Sequence, residues 1–134
     1  MRVKTLLLAF LLAAGLPASA LSQSRPVSIV LPVPSTWVSQ SSGTLVVLHV
    51  ANDGVIQGAF SSTACGPMAT RVIGKVVSQT ITFATTLASC NRIMAWRGKV
   101  SEKAIATGVT TISVRADGTV LSTGPNGDLF ARTR

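Results

Sequence analysis

Few side chains in this sequence can do acid–base or metal chemistry, and most of them have a structural use. The 134 residues contain only four acids, Asp53, Glu102, Asp117 and Asp128, and a single histidine, His49. Asp53 and Asp117 each precede a glycine between apolar runs, the chemistry of a hairpin tip. Glu102 falls in the short turn Ser101-Glu102-Lys103. That leaves Asp128 without a second carboxylate for paired acid–base work. His49 lies two residues before a turn, with no second histidine or free thiol to complete a metal site. The sequence has no glycine-rich phosphate loop and no GxSxG nucleophile elbow. It argues against an enzyme and calls for no cofactor. Two residues remain of interest. Asp128, at the start of the last expected strand, is either a turn residue or a ligand-facing acid. Trp96, in the sixth expected strand, is either core or the wall of a pocket.

The two cysteines, Cys65 and Cys90, depend for their meaning on the compartment. Arg2 and Lys4 form a basic n-region, Leu6 to Leu16 an apolar stretch, and Pro17-Ala18-Ser19-Ala20 a small-residue cleavage site. Residues 1–20 therefore read as a signal peptide, too short in its apolar part to span a bilayer. The protein is expected to be secreted, to the periplasm or the exterior. In that setting a Cys65–Cys90 disulfide is the default. It would close a loop of about 25 residues and stabilise by about 3 kcal/mol in the chain-entropy description. Cleavage leaves 10 basic residues against 4 acidic ones, a net charge of +6. These bases are scattered among strands and not interleaved with aromatics, so no nucleic acid partner is expected. Their expected effect is solubility and general attraction to anionic surfaces.

The elements that must position these residues are strands. Val, Ile and Thr abound, Gly and Ser punctuate, and no window sustains a 3.6-residue apolar period. Residues 21–34, broken by Pro26, Pro32 and Pro34, form an extended arm at best. Eight short strands follow, over 37–40, 44–50, 55–62, 71–77, 80–87, 92–100, 104–114 and 127–132. Asn52-Asp53-Gly54 makes a hairpin between the second and third. Ile81 and Phe83 alternate with Thr80 and Thr82, as a strand buried on one face requires. The expected fold is all-β, one domain over 35–134, an eight-stranded antiparallel up-and-down barrel. Such a barrel has room for packed side chains or one small ligand. Cys65 and Cys90 would then sit in two connections at the same rim.

The motifs, taken in order, resemble the avidin/streptavidin family, in particular its short, disulfide-containing, dimeric branch. They are Trp37-Val38-Ser39-Gln40-Ser41-Ser42-Gly43-Thr44, Gly54 with Gly58-Ala59-Phe60, Gly74-Lys75-Val76, Thr80-Ile81-Thr82-Phe83, Ser89-Cys90-Asn91, Ala95-Trp96-Arg97-Gly98 and Gly127-Asp128-Leu129-Phe130. The resemblance covers residues 35–132 and implies a barrel holding biotin in its open end, as a homodimer. It also implies a changed site. The three donors to the ureido oxygen of biotin, Asn, Ser and Tyr in the family, fall at Ser39, Gly43 and Phe60. The acceptors of the ureido N–H groups fall at Asp128 and Ser62, which keep the family chemistry. The tryptophan walls fall at Leu87, Trp96 and Val109, the threonine near sulfur at Met94, and the serine at the valerate carboxylate at Arg92. Two lost donors to a partly charged oxygen cost about 3–6 kcal/mol. Two lost tryptophans cost about 2–4 kcal/mol of apolar burial.

Three functions follow as expectations. The first is an exported, non-catalytic binder of biotin with weakened affinity. The second takes another cyclic urea, amide or anion, selected by Asp128, Ser62 and Arg92. The third is a structural or surface-interaction barrel with a vestigial pocket, whose basic exterior binds anionic envelope polymers.

Overall fold

A computed structural model describes residues 31–66 and 68–134. The expected signal peptide, residues 1–20, and residues 21–30 of the expected arm lie outside the described residues. Strict alternation of buried and exposed side chains sets the architecture. In β5 (Thr80–Leu87), Ile81, Phe83, Thr85 and Leu87 are buried while their neighbours are not. Side chains in a strand point alternately to either face, so such a segment needs a core on one side and solvent on the other. The same rhythm recurs in β1 (Ser35–Ser39), β2 (Gly43–Val50), β3 (Val55–Ser62), β4 (Ala69–Val77) and β6 (Arg92–Val100). It continues in β7 (Ala104–Val114) as far as Val109, and in β8 (Val120–Arg132) from Asp128 onward.

Each strand pairs antiparallel with the next, and β8 returns to β1, closing a barrel in chain order. Closure pairs the first strand with the last at the seam, and among the described residues leaves the protruding part of β8, before Asp128, paired on one side only. The β1–β8 seam is the shortest ladder, with two register pairs, Trp37↔Arg132 and Val38↔Ala131. Gly58 lies where a Cβ would run into the Val46 carbonyl, so its place within β3 reflects close strand approach.

β8 begins at Val120, seven residues before the expected start, so Asp128 lies well inside the strand. The expected strands leave residues 115–126, Gly124-Pro125 among them, as a connection. In the fold the ladder shifts between Val109↔Asn126 and Thr111↔Thr123, and a bulge absorbs the proline. With it, the β7–β8 hairpin runs out past the barrel wall. His49 is exposed beside a second register shift, in β2.

The barrel interior is aromatic at its centre. The Trp96 ring stacks on Phe83, with centroids 4.7 Å apart and 14° between planes, and meets Phe60 at 4.8 Å. Phe130 stands edge-on to both Phe83 and Trp96. At the end holding the β2–β3, β4–β5 and β6–β7 turns the filling is aliphatic, with Ile56, Ile81, Val100 and Ile105 all buried. Leu31, from the expected arm, is fully buried in the same core. The other end is the mouth. There the Cys65–Cys90 disulfide joins the β3–β4 and β5–β6 connections, with Cα atoms 5.7 Å apart.

Candidate functional site

Asp128 is the polar centre of the mouth. It is 6 % exposed, and it lies past the end of the β1–β8 ladder, where the β1–β2 turn reaches it instead of a strand. Three serines, Ser39 at the end of β1 and Ser41 and Ser42 in the turn, and one indole donate to its carboxylate. Ser39 Oγ and Ser41 Oγ (3.1 Å) donate to Oδ1, while Ser42 Oγ (2.6 Å) and Trp96 Nε1 (2.8 Å) donate to Oδ2. Thr107, opposite Asp128 in β7, donates to its backbone carbonyl at 2.9 Å. Burial is the largest influence on the Asp128 carboxyl and raises its pKa. The bonds from Ser39, Ser42, Trp96 and Ser41 together outweigh it, so the pKa lies below the ordinary 3.8. Asp128 is a preorganised anion inside the rim.

The turn is built to make this contact. Ser39 Oγ accepts the Ser41 and Ser42 backbone N–H groups at 3.2 and 3.1 Å, which engages its lone pairs and leaves its hydrogen for Asp128. Gly43 follows with a φ of 147°, and a Cβ there would collide with the Ser61 carbonyl and come within 3.0 Å of Phe60 Cζ. No side chain fits at Gly43, and the hydroxyls that reach Asp128 from this part of the chain are those of Ser39, Ser41 and Ser42. Sequence reasoning assigned neither of these two serines a role. The available signal was two hydroxyls adjoining Ser39 in one tight turn.

The other expected site residues lie on the inward face of the mouth. Phe60 packs on Trp96 and brings no hydroxyl. Val109 neighbours Trp96 across the β6–β7 ladder, and both are buried. Met94 stands opposite Thr85, whose hydroxyl lies 2.7 Å from that of Thr70. Leu87 pairs with Arg92 at the rim, and Arg92 is half-buried on the side of β6 that carries Met94 and Trp96. Ser62 is buried opposite Gly43 but is not bonded to Asp128. Its oxygen accepts the Ala64 and Cys65 N–H groups at 3.1 and 3.3 Å, so both lone pairs serve the disulfide-bearing loop. What Ser62 retains for a ligand is its hydroxyl hydrogen.

Beside Asp128, on the flank of β8 between β1 and β7, an open groove of about 950 Å³ is lined by Val38, Ser41, Ala106, Asp128, Leu129 and Ala131. Among the described residues no cluster of three His, Cys, Asp or Glu side chains gathers to hold a metal. No helix among them is long and apolar enough to cross a membrane.

No family model and no curated protein matches the sequence. Solved structures do match the fold. Apo bradavidin2 is 30 % identical, with a TM-score of 0.70 over 78 % of this chain and 100 % of that one. The bradavidin2–biotin complex is 28 % identical, with a TM-score of 0.65 over the same shares. Apo shwanavidin, 24 % identical with a TM-score of 0.65, covers 79 % of this chain and 100 % of its own, a likeness of fold. Its closed eight-stranded barrel, its rim disulfide and its identity to bradavidin2 place this chain in the avidin family, whose members are non-catalytic biotin-binding proteins.

Proposed function

We propose that this protein is an exported, homodimeric binder of biotin or a biotin-like cyclic urea, with weaker affinity than the tightest members of its family. The observation that carries the reading is the buried Asp128 carboxylate, held ionised at the barrel mouth beside the Trp96 ring. An ionised carboxylate is a strong acceptor for a urea N–H, and an aromatic wall suits the flat ring of such a ligand. Ser62 adds a free hydroxyl hydrogen that can serve a ligand oxygen. The bradavidin2–biotin complex supports biotin as the first ligand to test.

Weaker affinity follows from what the mouth lacks. Phe60 supplies no hydroxyl, Gly43 no side chain, and Leu87 and Val109 offer less flat apolar surface than tryptophan. Arg92 at the rim is placed to pair with a carboxylate-bearing tail. The dimer reading is supported by an apolar outer face. Ile73, 70 % exposed, continues through Ala84 and Ala95 across β4, β5 and β6, with exposed Ile93 beside them. Dry apolar contacts of this kind suit a permanent subunit interface. Export rests on residues 1–20 and on the disulfide, which persists in oxidising compartments.

Isothermal titration of the oxidised protein with biotin and with 2-imidazolidinone tests the reading, repeated at low and high salt. Saturable one-to-one binding that survives salt supports it. Binding confined to anionic polymers and abolished by salt would instead favour a surface-interaction barrel with a vestigial pocket.

A further inference from the structure

All four acceptor positions of the Asp128 carboxylate are filled by the protein's own donors, two on each oxygen. A ligand N–H can reach Asp128 only by taking one of those positions. The four donors are not equally held. Trp96 Nε1 belongs to a fully buried ring stacked in the core, so it cannot leave without being stranded. Ser42 is buried and makes the 2.6 Å bond. Ser39 is buried, and its oxygen is tied to two backbone N–H groups. Ser41 differs on each count. Its bond to Oδ1 is the longest of the four at 3.1 Å, and its residue is exposed. Being exposed, it can turn to water as a substitute partner.

We infer that Ser41 is a built-in competitor for the ligand: its hydroxyl fills the Oδ1 position that a ligand N–H must take, and it swings aside when a ligand binds. Ser41 is thus a specificity-determining residue of the site. Ligands that bring a strong N–H donor displace it, whereas ligands lacking one leave it in place. The inference rests on Asp128 being the ligand's acceptor, as proposed above. It adds that the serine turn, and not the pocket walls alone, sets the affinity.

The test is calorimetric titration of wild type, Ser41→Ala, Ser41→Thr, Ser42→Ala and Asp128→Ala with biotin and 2-imidazolidinone, over a range of acid pH. Ser41→Ala should bind about 3- to 10-fold tighter than wild type, the range that one net hydrogen bond controls. Ser41→Thr, which keeps the hydroxyl, should bind like wild type. With one donor removed, Asp128 should titrate at higher pH in Ser41→Ala, shifting the acid limb of binding upward. Unchanged or weaker binding by Ser41→Ala overturns the inference, as does an equal gain in Ser42→Ala, since any lost donor would then serve. If wild type binds and Asp128→Ala binds equally well, the anchor role of Asp128 is wrong and the inference goes with it. If neither wild type nor Ser41→Ala binds either ligand, the cyclic-urea reading itself fails.

Discussion

The two ends of the barrel solve the problem of burial in opposite ways. The base is filled with Ile56, Ile81, Val100, Ile105 and Leu31, side chains whose only demand is volume. The mouth buries a carboxylate, the serines Ser39, Ser42 and Ser62, and Thr85, with exposed Ser41 and half-buried Thr70 bonded to them, every one of them hydrogen-bonded. An apolar filling stabilises through area removed from water, roughly 25 cal/mol per Å². A polar filling gains little net free energy, because its bonds replace bonds to water, and at an open mouth water can take up a donor whose partner is removed. The base therefore carries stability, and the mouth carries a poised set of donors and acceptors. Trp96 belongs to both, its ring in the aromatic stack and its N–H on Asp128.

The largest effect expected on this contrast comes from the aromatic stack. Phe83→Ala should lower unfolding free energy by about 3–5 kcal/mol in urea melts. An equal loss from Asp128→Ala would erase the distinction between the two ends. Next, replacing Cys65 and Cys90 together by serine should cost about 3 kcal/mol by the same melts, since the bond closes a long loop. Asp128→Ala comes third, with about 1–2 kcal/mol lost in the unliganded protein and all thermal stabilisation by biotin gone. Asp128→Asn should keep part of that stabilisation, and a wild-type-like thermal shift in Asp128→Ala would make this acid a purely structural one.

The pH dependence of the mouth is the next smaller effect. The folded pKa of Asp128 lies below its unfolded value, so its contribution is present above about pH 4 and is lost as pH falls through the folded pKa. Melts from pH 7 down to pH 2 should show wild type losing its advantage over Asp128→Asn only at the acid end. A constant difference across that range would mean the carboxylate is not held as an anion. Smallest of all, Arg92→Ser should weaken biotin more than its uncharged amide, by well under about 1 kcal/mol at a half-exposed rim. Equal effects on both ligands, read by titration, would place Arg92 outside the ligand's reach.

The contrast between the ends also separates what the sequence displayed from what it concealed. Alternation in Ile81-Thr82-Phe83 and the hairpin tips announced strands, and the seven earlier strands fall within two residues of their expected bounds. Burial and period are properties of single segments, so they can be read locally. Asp128 and Trp96 stood out for want of alternatives, yet the bond between them joins residues 32 positions apart. Ser41 and Ser42 were passed over because their roles depend on how a turn folds onto a distant strand, and no periodicity encodes that. The start of β8 was hidden by Gly124-Pro125, which marks a loop by composition but sits in a bulge within the ladder. Ser62 kept the family's residue type, while the backbone of its own loop took up its lone pairs.

Gly43 bears on the mutational history open to this barrel and on any attempt to redesign it. Because a Cβ there would overlap the Ser61 carbonyl and crowd Phe60, a serine cannot be installed at Gly43 as a first step. It would have to follow a shift of the β3 backbone away from β2, and because Phe60 rides on that strand the shift alone disturbs the aromatic stack. Selection for tighter binding from this starting point would thus be channelled toward the neighbouring Ser41, whose exposed side chain is free of that collision. Lineages that carry the hydroxyl at the glycine position and those that carry it one or two residues earlier should then be separated by a valley of less stable intermediates. A library that varies Gly43 together with the β3 segment around Ser61 can cross that valley, and one that varies Gly43 alone cannot.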